Sequence, residues 1–286
     1  MRLFFLAHAS LSATCPYNPR VVELTRTVRF CLNGRGEFDA PPVRHNTFSA
    51  WPAMRGLGRY YELHVRCCGQ VNPDTGYFIN ITLIDKAVRE HVLPRFAQLL
   101  QTCDDPAALP LGSVMQQLFH WLAPALDGAV TELSLQLSPF YSLQIRSNDM
   151  NAVIVRQQFE FSSAHRLHVD AFTDQENRDV FGKCNNPSGH GHNYRLEVAV
   201  TSMCEQGGQI CSAEKLDELV NQVVVERLDH KHLNLDVEEF RELNPSVENI
   251  AKVIHQWLVP ALEKQQLALE EISVWETGKT VCTYRG

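Results

Sequence analysis

The chain has 286 residues, 44% of them apolar and 21% charged, which excludes wholesale disorder, collagen and coiled coil. That length makes one large domain or two ordinary ones, at roughly 100–200 residues each. Lys and Arg number 26 against 33 Asp and Glu, a net charge of −7, so no nucleic-acid partner is expected.

The chain opens MRLFFLAHASLSA, whose apolar run Leu3–Ala7 is short for the core of a signal peptide and is broken by His8. It predicts a first β-strand instead. No run of about 18 apolar residues follows, so no membrane partner is expected. The nine cysteines are odd in number and include no C-x-x-C. They predict reduced thiols in a cytoplasmic protein.

Further along, the sequence echoes itself. Arg59-Tyr-Tyr-Glu-Leu-His-Val rhymes with His192-Asn-Tyr-Arg-Leu-Glu-Val. The helical segments that run into Trp121-Leu-Ala-Pro-Ala-Leu and Trp257-Leu-Val-Pro-Ala-Leu match, as do the strand openings Glu132-Leu-Ser-Leu and Glu271-Ile-Ser-Val. Phe4-Phe-Leu-Ala-His8 is taken as the counterpart of Phe161-Ser-Ser-Ala-His165. A repeat of this length means two domain-sized copies rather than a solenoid. The seam falls in the polar stretch Ser147–Asn151, giving domains 1–148 and 150–286.

In the second copy, strands are predicted over 153–164 and 193–203 and a helix over 213–227. Ser246 is the predicted N-cap of a helix to about Lys264. A hairpin of 272–276 and 280–284 turns at Thr277-Gly278-Lys279. The order ββααββ predicts an α+β fold, an antiparallel sheet with two helices on one face.

His190 and His192 are two apart in an extended segment, so both side chains leave the same face. Gly191 between them lets the backbone pass close to what sits there. With His165 from a neighbouring strand they make three imidazoles and an open position, the pattern of a catalytic zinc site. The first copy has Leu57 and Arg59 at the matching places. Cys184 lies in a Gly/Asn/Pro-rich loop, where a thiol beside a metal can serve as base or nucleophile. Asp229-His230 can hold an imidazole in one tautomer, although neighbours in an extended segment point apart. Glu276 ends an otherwise apolar strand, where an inward carboxylate can accept two N–H groups of a heterocycle.

These stretches, with Leu228-Asp-His-Lys-His-Leu-Asn234, Ser246-Val-Glu-Asn-Ile250 and Val274-Trp-Glu-Thr277, resemble the 6-pyruvoyl-tetrahydropterin and 6-carboxy-tetrahydropterin synthase family over about residues 153–286. The resemblance implies two tandem T-fold units, the first degenerate and non-catalytic, with an insertion around Cys15–Asn46. It implies Zn2+ on His165, His190 and His192, proton abstraction by Cys184 and a proton relay through Asp229 and His230. Glu276 would anchor the pterin ring, with Glu248 touching the pterin or its side chain. Lys183 and Arg166 are candidates near the triphosphate. The substrate implied is 7,8-dihydroneopterin triphosphate, acted on by a homo-oligomer. Five residues separate Cys184 from His190, the spacing of the pyruvoyl-forming branch. The alternatives are the carboxy-forming branch of queuosine biosynthesis, another zinc enzyme on the same scaffold, and a non-enzymatic pterin-binding protein.

Overall fold

A computed structural model of the protein describes residues 21–32 and 57–286. The expected strand at Leu3–Ala7, His8, and the insertion Cys15–Asn46 but for residues 21–32 lie outside the described residues. The chain divides into two compact units, one of residues 1–136 and 144–151, the other of 137–143 and 152–286. Both are α+β. Among the described residues no helix is long and apolar enough to cross a membrane.

In the first unit β1 (Val21–Leu32) pairs antiparallel with β2 (Arg59–Gln70), and β2 with β3 (Val130–Ser138). Between β2 and β3 come α1 (Ile81–Ala87), α2 (Leu93–Thr102) and α3 (Leu111–Leu122). A π turn, Val88–Val92, joins α1 to α2. β4 (Tyr141–Arg146) is shared between the units by the division above. The core stacks Phe30 on Tyr61 at 5.5 Å, with Phe96 edge-on to both.

The second unit repeats this order. β5 (Asp149–His165) pairs antiparallel with β6 (His190–Met203), β6 with β8 (Ala268–Thr277), and β8 with β9 (Thr280–Tyr284). β6 begins three residues before the predicted strand. α4 (Asp174–Phe181), which the hydrophobic pattern does not announce, is started by a capping box between Thr173 and Glu176. The predicted helix at 213–227 is α5 (Ala213–Val220), continued by a π turn and a last short turn to Leu228. A two-residue β7 (Lys231–His232) then runs parallel to β5, the one departure from an antiparallel sheet in this unit. α6 (Val247–Glu263) is capped by Ser246 as predicted and packs along β8 and β9.

Strand register corrects one sequence echo. Phe161 pairs with Tyr194 in the second unit and Phe30 with Tyr61 in the first. The counterpart of β5 is therefore β1, not the segment around Phe4–His8. Counting on four residues from Phe30 sets Gly34, rather than His8, opposite His165 in the alignment of the copies. Another correspondence holds in part. Glu132 sits 3.5 Å from Arg146 as Glu271 sits 2.7 Å from Arg285, whereas their second arginines, Arg66 on β2 and Arg156 on β5, come from strands that are not counterparts.

Candidate active site

Alternation along three strands assembles the site. On β5 the side chains of Phe161, Ser163 and His165 are buried on one face. β6 lies antiparallel with His190 opposite His165, His192 opposite Ser163 and Tyr194 opposite Phe161, so these side chains share that face. Phe161 and Tyr194 stack at 5.0 Å and form the apolar floor. Beyond it the three imidazoles each offer a nitrogen within 4.8 Å of the others.

The second partners of the imidazoles set their chemistry. His165 Nδ1 is 2.7 Å from the Pro245 carbonyl, so it carries a proton and donates it there. Its Nε2 is left as a lone pair, 3.1 Å from His190 Nε2. Burial pushes the His165 imidazole down to about 4, which keeps it neutral at physiological pH. Burial also lowers His190, helped by His192. His192 Nε2 is buried without a hydrogen-bond partner. Three converging nitrogens, one buried and unsatisfied, are what a cation would satisfy, so these residues fit a metal.

Glu276 comes to the same place. Its Oε1 is 3.5 Å from His165 Nε2 and 3.7 Å from His192 Nε2. Tyr194, which has no signal of its own in the sequence, has its hydroxyl 3.4 Å from His165 Nδ1. Burial raises that hydroxyl well above its ordinary value, with the charges of Glu276 and Cys184 adding to the effect. Cys184 is half-buried in the single turn Gly182–Asn185, close enough for its charge to count at Tyr194.

The crowded glycine is Gly189, at φ +72°, rather than Gly191. A Cβ on Gly189 would stand 2.7 Å from His232 Nε2, whereas one on Gly191 meets nothing nearer than 3.4 Å. His232 and the Pro245 carbonyl were both missed from sequence. A backbone acceptor 80 residues away has no sequence signal.

Asp229 and His230 do form a direct couple, against the expectation that neighbours point apart. His230 has φ +57°, outside the extended region, and its Nδ1 folds back to 2.6 Å from Asp229 Oδ2. The pair is docked on Ser162, whose N–H donates to Asp229 Oδ1 at 2.8 Å and whose carbonyl accepts from the His230 N–H at 2.6 Å. The hydrogen bond from Ser162, then that from His230, holds the Asp229 carboxyl below its ordinary value. The His230 side chain is 82% exposed, on the edge of β5 where β7 runs. Glu248 is exposed in the first turn of α6, where its charge counts at Cys282. The fold thus gathers His165, His190, His192 and Glu276, and separately Asp229 with His230.

A family described as 6-pyruvoyl tetrahydropterin synthase matches residues 154–286. A 6-pyruvoyl tetrahydrobiopterin synthase of Drosophila melanogaster is 42% identical over 127 residues, 44% of this chain and 75% of that relative. The chain belongs to the 6-pyruvoyl tetrahydropterin synthase family. The Homo sapiens protein of the same description is 35% identical over 133 residues, 46% of this chain and 90% of its own length. The solved 6-pyruvoyl tetrahydropterin synthase of Caenorhabditis elegans is 34% identical, covering 47% of this chain and 96% of its own, at a TM-score of 0.44. The family match falls within the half that carries the three imidazoles.

Proposed function

We propose that residues 150–286 form a lyase unit that converts 7,8-dihydroneopterin triphosphate into 6-pyruvoyl-tetrahydropterin with loss of triphosphate. The observation that carries this reading is the convergence of His165, His190 and His192 beside Glu276 in a member of this family. Residues 1–148 are then a second T-fold unit without catalytic residues, since Leu57 and Arg59 replace the two imidazoles of β6.

His165, His190 and His192 hold Zn2+, which when bound supplies Lewis-acid polarisation of the substrate's side-chain oxygens. Glu276 accepts two N–H groups of the aminopyrimidine edge and so fixes the ring. Glu248 makes a further contact to the pterin or its side chain. The Cys184 thiolate takes a carbon-bound proton from the substrate's side chain. Asp229 holds the Nδ1 proton of His230, leaving Nε2 to pass a proton onward. Its exposure suits a relay that reaches the site of a neighbouring copy, so the working form is a homo-oligomer. Free thiols at Cys31, Cys67, Cys103, Cys184, Cys211 and Cys282 agree with a cytoplasmic setting.

Incubation of the zinc-loaded protein with dihydroneopterin triphosphate, with products identified by mass, tests the reading. The pyruvoyl product with free triphosphate is expected. A 6-carboxy product with acetaldehyde would move the protein to the other branch, and binding without turnover would make it a pterin-binding protein.

A further inference from the structure

The segment that follows His165 is tied to the turn that carries Cys184. Arg166 Nε donates to the Asn185 carbonyl at 3.3 Å and to Asn185 Oδ1 at 3.1 Å. His168 Nδ1 donates to the same Oδ1 at 2.9 Å. The Leu167 N–H donates to the Cys184 carbonyl at 2.9 Å. The gripping segment is itself anchored. The Arg166 backbone is bonded in both directions to the Asn234 side chain, at 2.8 and 3.0 Å. The His168 N–H donates to Asn244 Oδ1 at 3.2 Å, and the Asn244 carbonyl accepts from Asn249 of α6 at 2.8 Å.

The turn also has bonds of its own: the Asn186 N–H donates to the Lys183 carbonyl at 3.3 Å, and the Ser188 and Gly189 N–H groups donate to Asn186 Oδ1 at 3.1 Å and to the Asn186 carbonyl at 2.8 Å. It is four residues long, starts at Gly182 with φ +52°, and runs into Asn186-Pro187-Ser188-Gly189. Those bonds leave the side chain of Asn185 to be held from outside the turn, by the segment that follows His165. Asn185 is the residue next to the thiol, and two side-chain donors from the strand-end segment converge on its one amide oxygen.

We propose that Arg166 and His168 are positioning residues that set the Cys184 thiol relative to the three imidazoles, acting through the side chain of Asn185. The proposal rests on the role given to Cys184 above. The arrangement couples the place of the thiol to the place of His165, because Arg166 is the next residue in the chain.

The test compares the full-length variants Asn185→Ala, which removes the shared acceptor, and Asn185→Asp, which keeps an oxygen for both donors. Cys184 alkylation by iodoacetamide at one fixed pH is followed by mass, together with kcat, KM, zinc content and melting. In Asn185→Ala a several-fold change in alkylation rate is expected, with kcat down by roughly 10–100-fold, the scale of an ångström-sized misplacement. KM, zinc content and melting should hold, and Asn185→Asp should restore both rates. A purely structural contact would move melting instead and leave alkylation unchanged. Wild-type alkylation and turnover in Asn185→Ala, or no rescue by Asn185→Asp, would overturn the proposal. If Asn185→Ala does not fold, His168→Phe keeps a ring but loses the Nδ1 donor to Asn185, and is judged by the same readouts. Full turnover in Cys184→Ala would sink the role of the thiol, whereas the alkylation rates judge the clamp on their own.

Discussion

The Pro245 carbonyl accepts a 2.7 Å hydrogen bond from His165 Nδ1, across 80 residues of sequence. That bond selects the tautomer whose Nε2 faces His190 and His192, and burial keeps the ring neutral. The imidazole is thereby oriented before any metal arrives. One zinc per chain is expected by elemental mass spectrometry. His190→Ala combined with His192→Ala should abolish it; two zincs in the wild type, or retained zinc in the double variant, would contradict the assignment.

Cys184→Ala should leave zinc content and pterin affinity in place while turnover falls roughly 10²–10⁴-fold, the range of a general-base contribution. Single-turnover rates measured beside equilibrium pterin binding separate the two effects. A variant as fast as wild type would return Cys184 to the structural cysteines.

Glu276→Gln keeps the shape of the side chain and turns one acceptor into a donor facing a donor. Pterin binding should weaken by roughly 10–100-fold, equivalent to about 1.5–3 kcal/mol for charged hydrogen bonds. Melting should barely change, since Gln fills the same space as Glu. Fluorescence titration with a pterin decides it, and equal affinity would refute the anchor role.

Glu271 lies 2.7 Å from both Arg156 and Arg285. Burial pushes its carboxyl up, but the hydrogen bond and charge of Arg156, aided by Arg285, outweigh this and hold it below the ordinary value. A carboxyl depressed by folding adds stability above its unfolded pKa of about 4.3 and loses it as pH falls through the folded value. Glu271→Gln should therefore lower stability at neutral pH by about 1–3 kcal/mol. The gap to wild type should close as pH is taken below about 4. Urea midpoints at the two pH values measure this, and a gap that persists in acid would rule out the ion pair as its source.

Sedimentation of the full chain should show a closed, symmetric oligomer, because His230 is exposed and its partner site is expected on another copy. Mixing a Cys184→Ala chain with a His230→Ala chain should then restore part of the activity each lacks. A fully active monomer would remove the trans relay.

The amino-acid order by itself carried the α+β class, the duplication, the Ser246 cap and the likeness of residues 153–286 to a pterin synthase family. It also placed His190 and His192 on one face, because a period of two needs only local backbone geometry. What needed the tertiary structure was everything set by partners distant in the chain. Register showed that β1, not the first residues, is the counterpart of β5, since only pairing sets Phe30 against Tyr61 as Phe161 is set against Tyr194. The left-handed turn at His230 made a couple of two neighbours that extended geometry would separate. The Pro245 carbonyl, the packing of His232 against Gly189 and the grip of Arg166 and His168 on Asn185 came from folding too. Periodicity reports which face a side chain leaves. Only the packed chain decides which backbone oxygen or amide it meets there.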